Sequence, residues 1–247
     1  MSMLMSQAIL ETKLFMRAKA SLFWTLAFPI MFMGLFGLIY GQSKWAGMDI
    51  RSVDYLLPGI LTMGVMVTSI MHMVQIFVGE REKGIYRRLA LTPLKRQWLI
   101  GGHILHNYAV IIAQTLMLLA LGVAAFDITI SGNMFLFWLV LSAGALCFMS
   151  VGFALTGLVK TSRSSTPVTQ MPYFIFMFLG GLFFPTGMLP KALGCVANAL
   201  PSTHMNDALR AVLYQGASFG DIWQHLLVLA AWTIGCLIIS MKSFRWE

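Results

Sequence analysis

The chain reads as an all-α integral membrane protein. Six transmembrane helices are expected, with an interfacial helix before them, a short cytoplasmic helix between spans two and three, and an outer re-entrant helical hairpin between spans five and six. Three observations lead there. Of 247 residues, 58% are hydrophobic and only 11% charged, with a mean hydropathy of +0.79. A soluble domain carries about 25% charged residues, and so few charges cannot cover a soluble globule. Charge-free stretches recur at 20–43, 55–79, 97–126, 128–159, 164–190 and 222–241, each long enough for the ~20 residues of a spanning helix. The bases are also unevenly placed between those stretches.

Residues 4–19 come first. Leu4, Met5, Ala8, Ile9, Phe15 and Met16 share one helical face, with Ser6, Lys13 and Arg17 opposite and Leu10 and Leu14 breaking the pattern; this suggests a helix lying on a membrane. A signal peptide is disfavoured, because the apolar run that follows is far longer than the ~7–15 residues of its hydrophobic core. The spans are placed at 22–41, 56–78, 104–126, 134–158, 167–187 and 222–241, within one membrane domain covering 1–247. The run 192–206 is charge-free but too short to cross. Pro190 and Pro201 bracket or interrupt it, and Pro185 marks the break before it. We read 188–216 as the outer hairpin, its second arm carrying Asn206, Asp207 and Arg210.

With the N-terminus inside, the inner segments hold Lys13, Arg17, Lys19, Arg81, Lys83, Arg87, Arg88, Lys95, Arg96, Lys160, Arg163, Lys242 and Arg245. Only Lys44, Arg51, Lys191 and Arg210 fall outside. This bias sets both termini in the cytoplasm and explains the net charge of +8 without nucleic acid. Trp24, Trp45, Trp98, Trp138, Trp223 and Trp246 lie near span ends, where an aromatic belt belongs. Cys147, Cys195 and Cys236 are scattered and read as small apolar residues.

No catalytic constellation is present in the sequence. There is no phosphate-binding Gly-x-x-x-x-Gly-Lys-Ser/Thr loop and no His-Glu-x-x-His,. His103 and His106, at i and i+3, can share a metal or a proton, or serve as polar residues near headgroups; no metal is assigned to them. Within the spans, His72, Gln75, Asn107, Gln114 and Gln170 are polar, but no acid lies there. A self-powered carrier keeps buried acids as a relay and is often built from internal repeats; neither is evident. The energy source is therefore expected outside the chain. Met and Phe are abundant, at 19 and 18. Most must be packing and lipid-facing residues; Met63, Met66, Phe174, Phe178 and Phe183, on spans two and five, are taken as candidates for a substrate path.

The segment 79–93 is the long run of mixed charge. Ile85 and Leu89 would form an apolar ridge on a short helix, flanked by rows Lys83/Arg87 and Arg81/Arg88, and Pro93 would stop it. A basic loop attracted to anionic lipid would account for the arginines, but not for Glu80, Glu82, the glycines at 79 and 84 or the sharp stop. The pattern Glu80-Arg81-Glu82-Lys83-Gly84, then Leu89 and Pro93, resembles the permease subunits of type-2 ABC exporters. So do Phe184-Pro185-x-x-Met188-Leu189-Pro190, Leu200-Pro201-Ser202-Thr203 and Asp207-Ala208-Leu209-Arg210. Ile85 stands where Thr is frequent in that family, and His204 where an aromatic is.

The resemblance covers nearly the whole chain. It implies that 80–92 is a coupling helix docking on a separate ATPase subunit, with Glu80, Arg81, Glu82, Gly84, Ile85, Tyr86, Arg87, Arg88, Leu89 and Pro93 as its residues. It further implies two ATPase subunits, which bind ATP and Mg, and a second permease copy or paralogue. This chain itself would bind no cofactor and catalyse nothing. Export of drug-like or amphiphilic compounds is the leading expectation. Polysaccharide or lipid-linked glycan export is the alternative within the family, and a secondary carrier or membrane scaffold the alternative outside it.

Overall fold

The computed structural model describes residues 3–40, 51–89, 96–129, 132–159, 161–183 and 190–243. All regular elements among them are helical. Helix α1 is Met3–Arg17. Helix α2 covers 19–40, as Lys19–Leu22, a π-helical turn Phe23–Ala27 and Phe28–Tyr40. Helix α3, Ser52–Glu82, contains a second π-helical turn, Val67–His72. Then follow α4 (Ile85–Leu89), α5 (Arg96–Phe126), α6 (Met134–Leu158), α7 (Ser162–Leu179), α8 (Lys191–Ala197), α9 (Pro201–Tyr214) and α10 (Phe219–Ser243).

Five of these hold segments long and apolar enough to cross a membrane: Phe23–Tyr40, Ser52–Glu82, Trp98–Phe126, Met134–Leu158 and Phe219–Met241. The chain is thus a multi-pass membrane bundle. The segment expected at 167–187 differs. Its helix starts earlier, at Ser162, because Thr161 and Ser164 form a reciprocal capping box, satisfying otherwise orphan backbone donors. It stops at the Gly180-Gly181 turn. At 18 residues it is about 27 Å long, and its first half is polar. Residues 184–189, with the expected break at Pro185, lie outside the described residues.

Helix α3 is the axis of the bundle. Every residue from Ser52 to Met66 is buried, and apart from Ser52, Asp54, Thr62 and the Tyr55 hydroxyl the side chains carry no polar group on any face, as expected of a helix enclosed by others. Helix α6 lies against its middle, where Gly152 lets α6 come onto the Ser69 carbonyl; any Cβ there would collide with it. Helix α10 packs along α6, and α9 is wedged among α3, α6, α7 and α10. Phe77, Phe137, Phe148, Met66 and Ile111 are among the large side chains sealed inside.

Helix α1 lies along α5, but not on the face expected. Ala8, Glu11 and Phe15 are buried, while Met5, Ile9, Leu10, Leu14 and Met16 are exposed. The inward face therefore includes an acid, and the apolar side chains taken as one face are divided between protein and surroundings. Helix α5 also begins earlier than the expected 104: it starts at Arg96, and its first turns bury Leu99 and His103.

Candidate coupling loop and membrane cleft

The expected single helix over 80–92 is divided. Glu80, Arg81 and Glu82 are the last turn of α3, which is longer than the expected 56–78. Lys83 and Gly84 form a turn, and α4 follows. The break is conformational: Gly84 has φ of +66°, the left-handed region that glycine enters without the strain of a side chain. Its N–H bonds the Arg81 carbonyl at 3.0 Å.

Each of the three charges ahead of that turn reaches a different helix. Glu80 Oε2 accepts from the Tyr86 hydroxyl at 2.9 Å and lies 3.2 Å from His103 Nε2 on α5. The Arg81 guanidinium donates to the carbonyls of Thr156 and Val159 at the end of α6. Glu82 accepts from the Ser162 backbone N–H at 2.9 Å and from the Ser162 hydroxyl. A cation thus sits at a helix C-terminus and an anion at a helix N-terminus, both favoured by the helix dipole and by unsatisfied end groups.

Beyond the turn, Tyr86 is buried and folds back beside Phe77, with ring centroids 6.4 Å apart. Burial, and then the neighbouring Glu80, push the Tyr86 phenol above its ordinary value, so it remains a donor. Ile85 is half-buried, and Arg87 and Arg88 are exposed. Among the described side chains of the short helix, Tyr86 is therefore the buried anchor. The Leu89 side chain and Pro93 lie outside the described residues.

A second feature lies between α2, α3 and α7. It is an open cleft of about 690 Å³, within the range of small-molecule pockets. Met63, Phe174, Phe178 and Phe183 all line it. Met66 does not; it is fully buried in the core. The opposite wall is an aromatic ladder at every fourth residue of α2: Trp24, Phe28, Phe32 and Phe36, with successive centroids 4.5–5.7 Å apart. Thr25, His72, Gln75, Gln170 and Tyr173 supply polar groups, and no Asp, Glu, Lys or Arg lines the cleft among the described residues. Both π-helical turns border the cleft, through Trp24 and Thr25 in one and Val67, Met71 and His72 in the other. Such turns re-aim side chains and often occur at functional sites.

At the other end of the bundle, Arg210 stacks on the Tyr55 ring, 3.7 Å from its centroid, and donates to the Gly181 carbonyl at 2.9 Å. Asn206 donates to the same carbonyl at 2.8 Å. Asp207 lies 3.5 Å from Arg210. Burial raises the Asp207 carboxyl and lowers the Arg210 guanidinium from their ordinary values, each partly offset by the other. Pro201, buried, opens α9 at its first turn, where a missing N–H costs nothing; Pro190 is exposed ahead of α8.

Compared with known families, residues 6–214 match the family described as ABC-2 type transporter. The chain belongs to that family. It is a membrane permease of the ABC-2 type, and membership does not make it a site of ATP hydrolysis. Among its relatives is "Putative transport permease YvfS" of Bacillus subtilis, 24% identical over 248 residues, covering 97% of this chain and 96% of the relative. "ABC transporter G family member 20" of Dictyostelium discoideum is 26% identical over 201 residues, 79% of this chain but 27% of its own length. "Probable multidrug ABC transporter permease YbhR" of Escherichia coli K12 is 26% identical over 188 residues, 73% of this chain and 49% of its own. The permease thus spans nearly all of one relative, about a quarter of another and half of a third.

Two parts of this ABC-2 permease were missed by sequence reasoning. The aromatic ladder had a plain signal, the spacing of four from Trp24 to Tyr40. Glu11 had none, because an acid on a short amphipathic helix normally faces water.

Proposed function

We propose that this permease is the membrane half of an ATP-driven exporter. It would move a drug-like or amphiphilic compound out of the cytoplasm or inner leaflet, powered by ATPase subunits that dock on the segment after Gly84. In this reading the bundle crosses the membrane six times, α7 included, with both termini cytoplasmic, α8 and α9 forming the outer hairpin, and the protein in the plasma membrane. Two permease chains, identical or paralogous, pair with two ATPase subunits that bind ATP and Mg, and lipid surrounds the assembly.

The observation that carries the reading is the triple attachment at 80–82. A push on α4 is delivered through Glu80, Arg81 and Glu82 to the ends of α5, α6 and α7 together, and α3 and α7 are walls of the cleft. Exposed Arg87 and Arg88 supply a basic surface for a soluble partner. The cleft favours an amphiphile over a glycan: its walls are aromatic and thioether side chains suited to apolar ligands, with few hydrogen-bonding groups for a sugar.

The test is to purify the complex from its native host and measure ATP hydrolysis. A stoichiometric soluble partner is expected, whose hydrolysis is stimulated by flat apolar amphiphiles. An intact permease without a partner or ATPase activity would overturn the proposal.

A further inference from the structure

The polar cluster beneath the coupling loop contains more charge than its hydrogen bonds explain. Glu11 of α1, Glu80 of α3 and His103 of α5 each offer a ligand atom, all within 4.8 Å of one another. His103 is completely buried, and Glu11 is 5% exposed. The imidazole stands between the two acids. Its Nε2 is 3.2 Å from Glu80 Oε2, the oxygen that also accepts from Tyr86. A carboxylate can only accept, so Nε2 carries the proton.

The other nitrogen, Nδ1, then presents a lone pair towards Glu11 Oε2 at 3.8 Å. It has no hydrogen-bond partner among the described residues. Two acceptors face each other across a gap too wide for a hydrogen bond. The gap matches the spacing of two ligands on one ion, each about 2.0–2.2 Å from it. Gln7 donates to Glu11 Oε1 at 3.1 Å and holds the carboxylate in place. Arg81, the nearest base in sequence, is already engaged by the carbonyls of α6.

We propose that Glu11 and His103 Nδ1 bind a divalent transition-metal cation, of the zinc or manganese class, with water completing its shell and Glu80 as the outer carboxylate, so that the ion staples the interfacial helix to the base of the coupling loop. A 2+ ion cancels the two carboxylates with a neutral imidazole between them. The Nε2–H···Glu80 contact is the outer carboxylate bond that fixes the tautomer of a metal-binding histidine,. The imidazole selects transition metals over magnesium and calcium. This goes beyond the transport reading and does not depend on it.

The test uses the full chain in lipid nanodiscs, stripped with a chelator and titrated with Zn²⁺, with Mg²⁺ as control. One Zn²⁺ per chain is expected, with cobalt substitution giving visible ligand-field bands. Binding should be lost in Glu11→Gln and weakened about 10- to 100-fold in Glu80→Gln. Glu11→Gln preserves shape and keeps the oxygen that accepts from Gln7, so a loss of binding there is not a loss of fold. Zinc should also raise the melting temperature of the native chain but not of Glu11→Gln. The other facing imidazoles, His204 and His225, lie with Nδ1 atoms 2.9 Å apart; zinc that persists in Glu11→Gln but vanishes in His204→Asn would overturn the assignment. So would absence of binding, which would leave the gap to a proton alone.

Discussion

Glu82 caps a helix that begins 80 residues further along the chain, accepting both the backbone N–H and the hydroxyl of Ser162. This contact joins the last residue of α3 to the first of α7, two helices that wall the cleft. The carboxylate is exposed to water, so its value lies in geometry rather than in stability. We expect Glu82→Ala to insert and purify normally but to lose compound-stimulated ATP hydrolysis in the complex. Glu82→Gln, which retains an acceptor oxygen, should keep part of it. Full stimulation in the alanine variant would remove Glu82 from the coupling path.

The turn at Gly84 makes a graded prediction. A side chain in the left-handed region costs roughly 1–2 kcal/mol, and Asn tolerates that region better than other residues. Proline fixes φ near −65° and removes the N–H that bonds Arg81. Stimulated ATPase activity should therefore fall in the order Gly84→Asn, Gly84→Ala, Gly84→Pro, with the last inactive though inserted. Equal activity across the three would show that the bend is not used.

Met66 and Phe178 separate packing from recognition. Met66 is wholly buried, and truncation to alanine should cost about 2–5 kcal/mol, seen as a lower melting temperature with unchanged compound preference. Phe178 is 61% exposed on the cleft wall. Phe178→Ala, alone or with Phe174→Ala, should leave melting nearly unchanged and shift the concentration of apolar amphiphile that half-stimulates ATPase activity. The opposite pattern would exclude the cleft as the compound's path.

What the sequence could and could not disclose follows from the range of the forces. Burial in lipid acts on every residue of a span, so the apolar windows read clearly, and five of them coincide with helices fit to cross. Helix α7 was harder, because Ser162, Arg163 and Gln170 dilute its apolar content while Thr161 decides its start through a local cap. The mixed-charge segment announced itself by composition, but its structure did not. Whether Glu80, Arg81 and Glu82 belong to a free helix or to the end of α3 depends on partners at Tyr86, His103, Val159 and Ser162, most of them far away in sequence. Glu11 was the least legible, because its burial depends on His103, brought to it only by the packing of α1 on α5.

Orientation across the membrane yields the last prediction, through Arg87 and Lys191, both exposed on their helices. In the proposed six-span topology, thirteen of the 17 bases fall on the side of Arg87, the side the positive-inside rule places in the cytoplasm. Cys195 is free and exposed, so the experiment needs it replaced by serine first. In that background, a cysteine at 191 should react with a membrane-impermeant thiol reagent added to intact cells. A cysteine at 87 should react only after permeabilisation. Docked ATPase subunits should slow the labelling at 87 further, and release of those subunits should restore it. The reverse pattern of access would turn the bundle over and move the ATPase site to another loop.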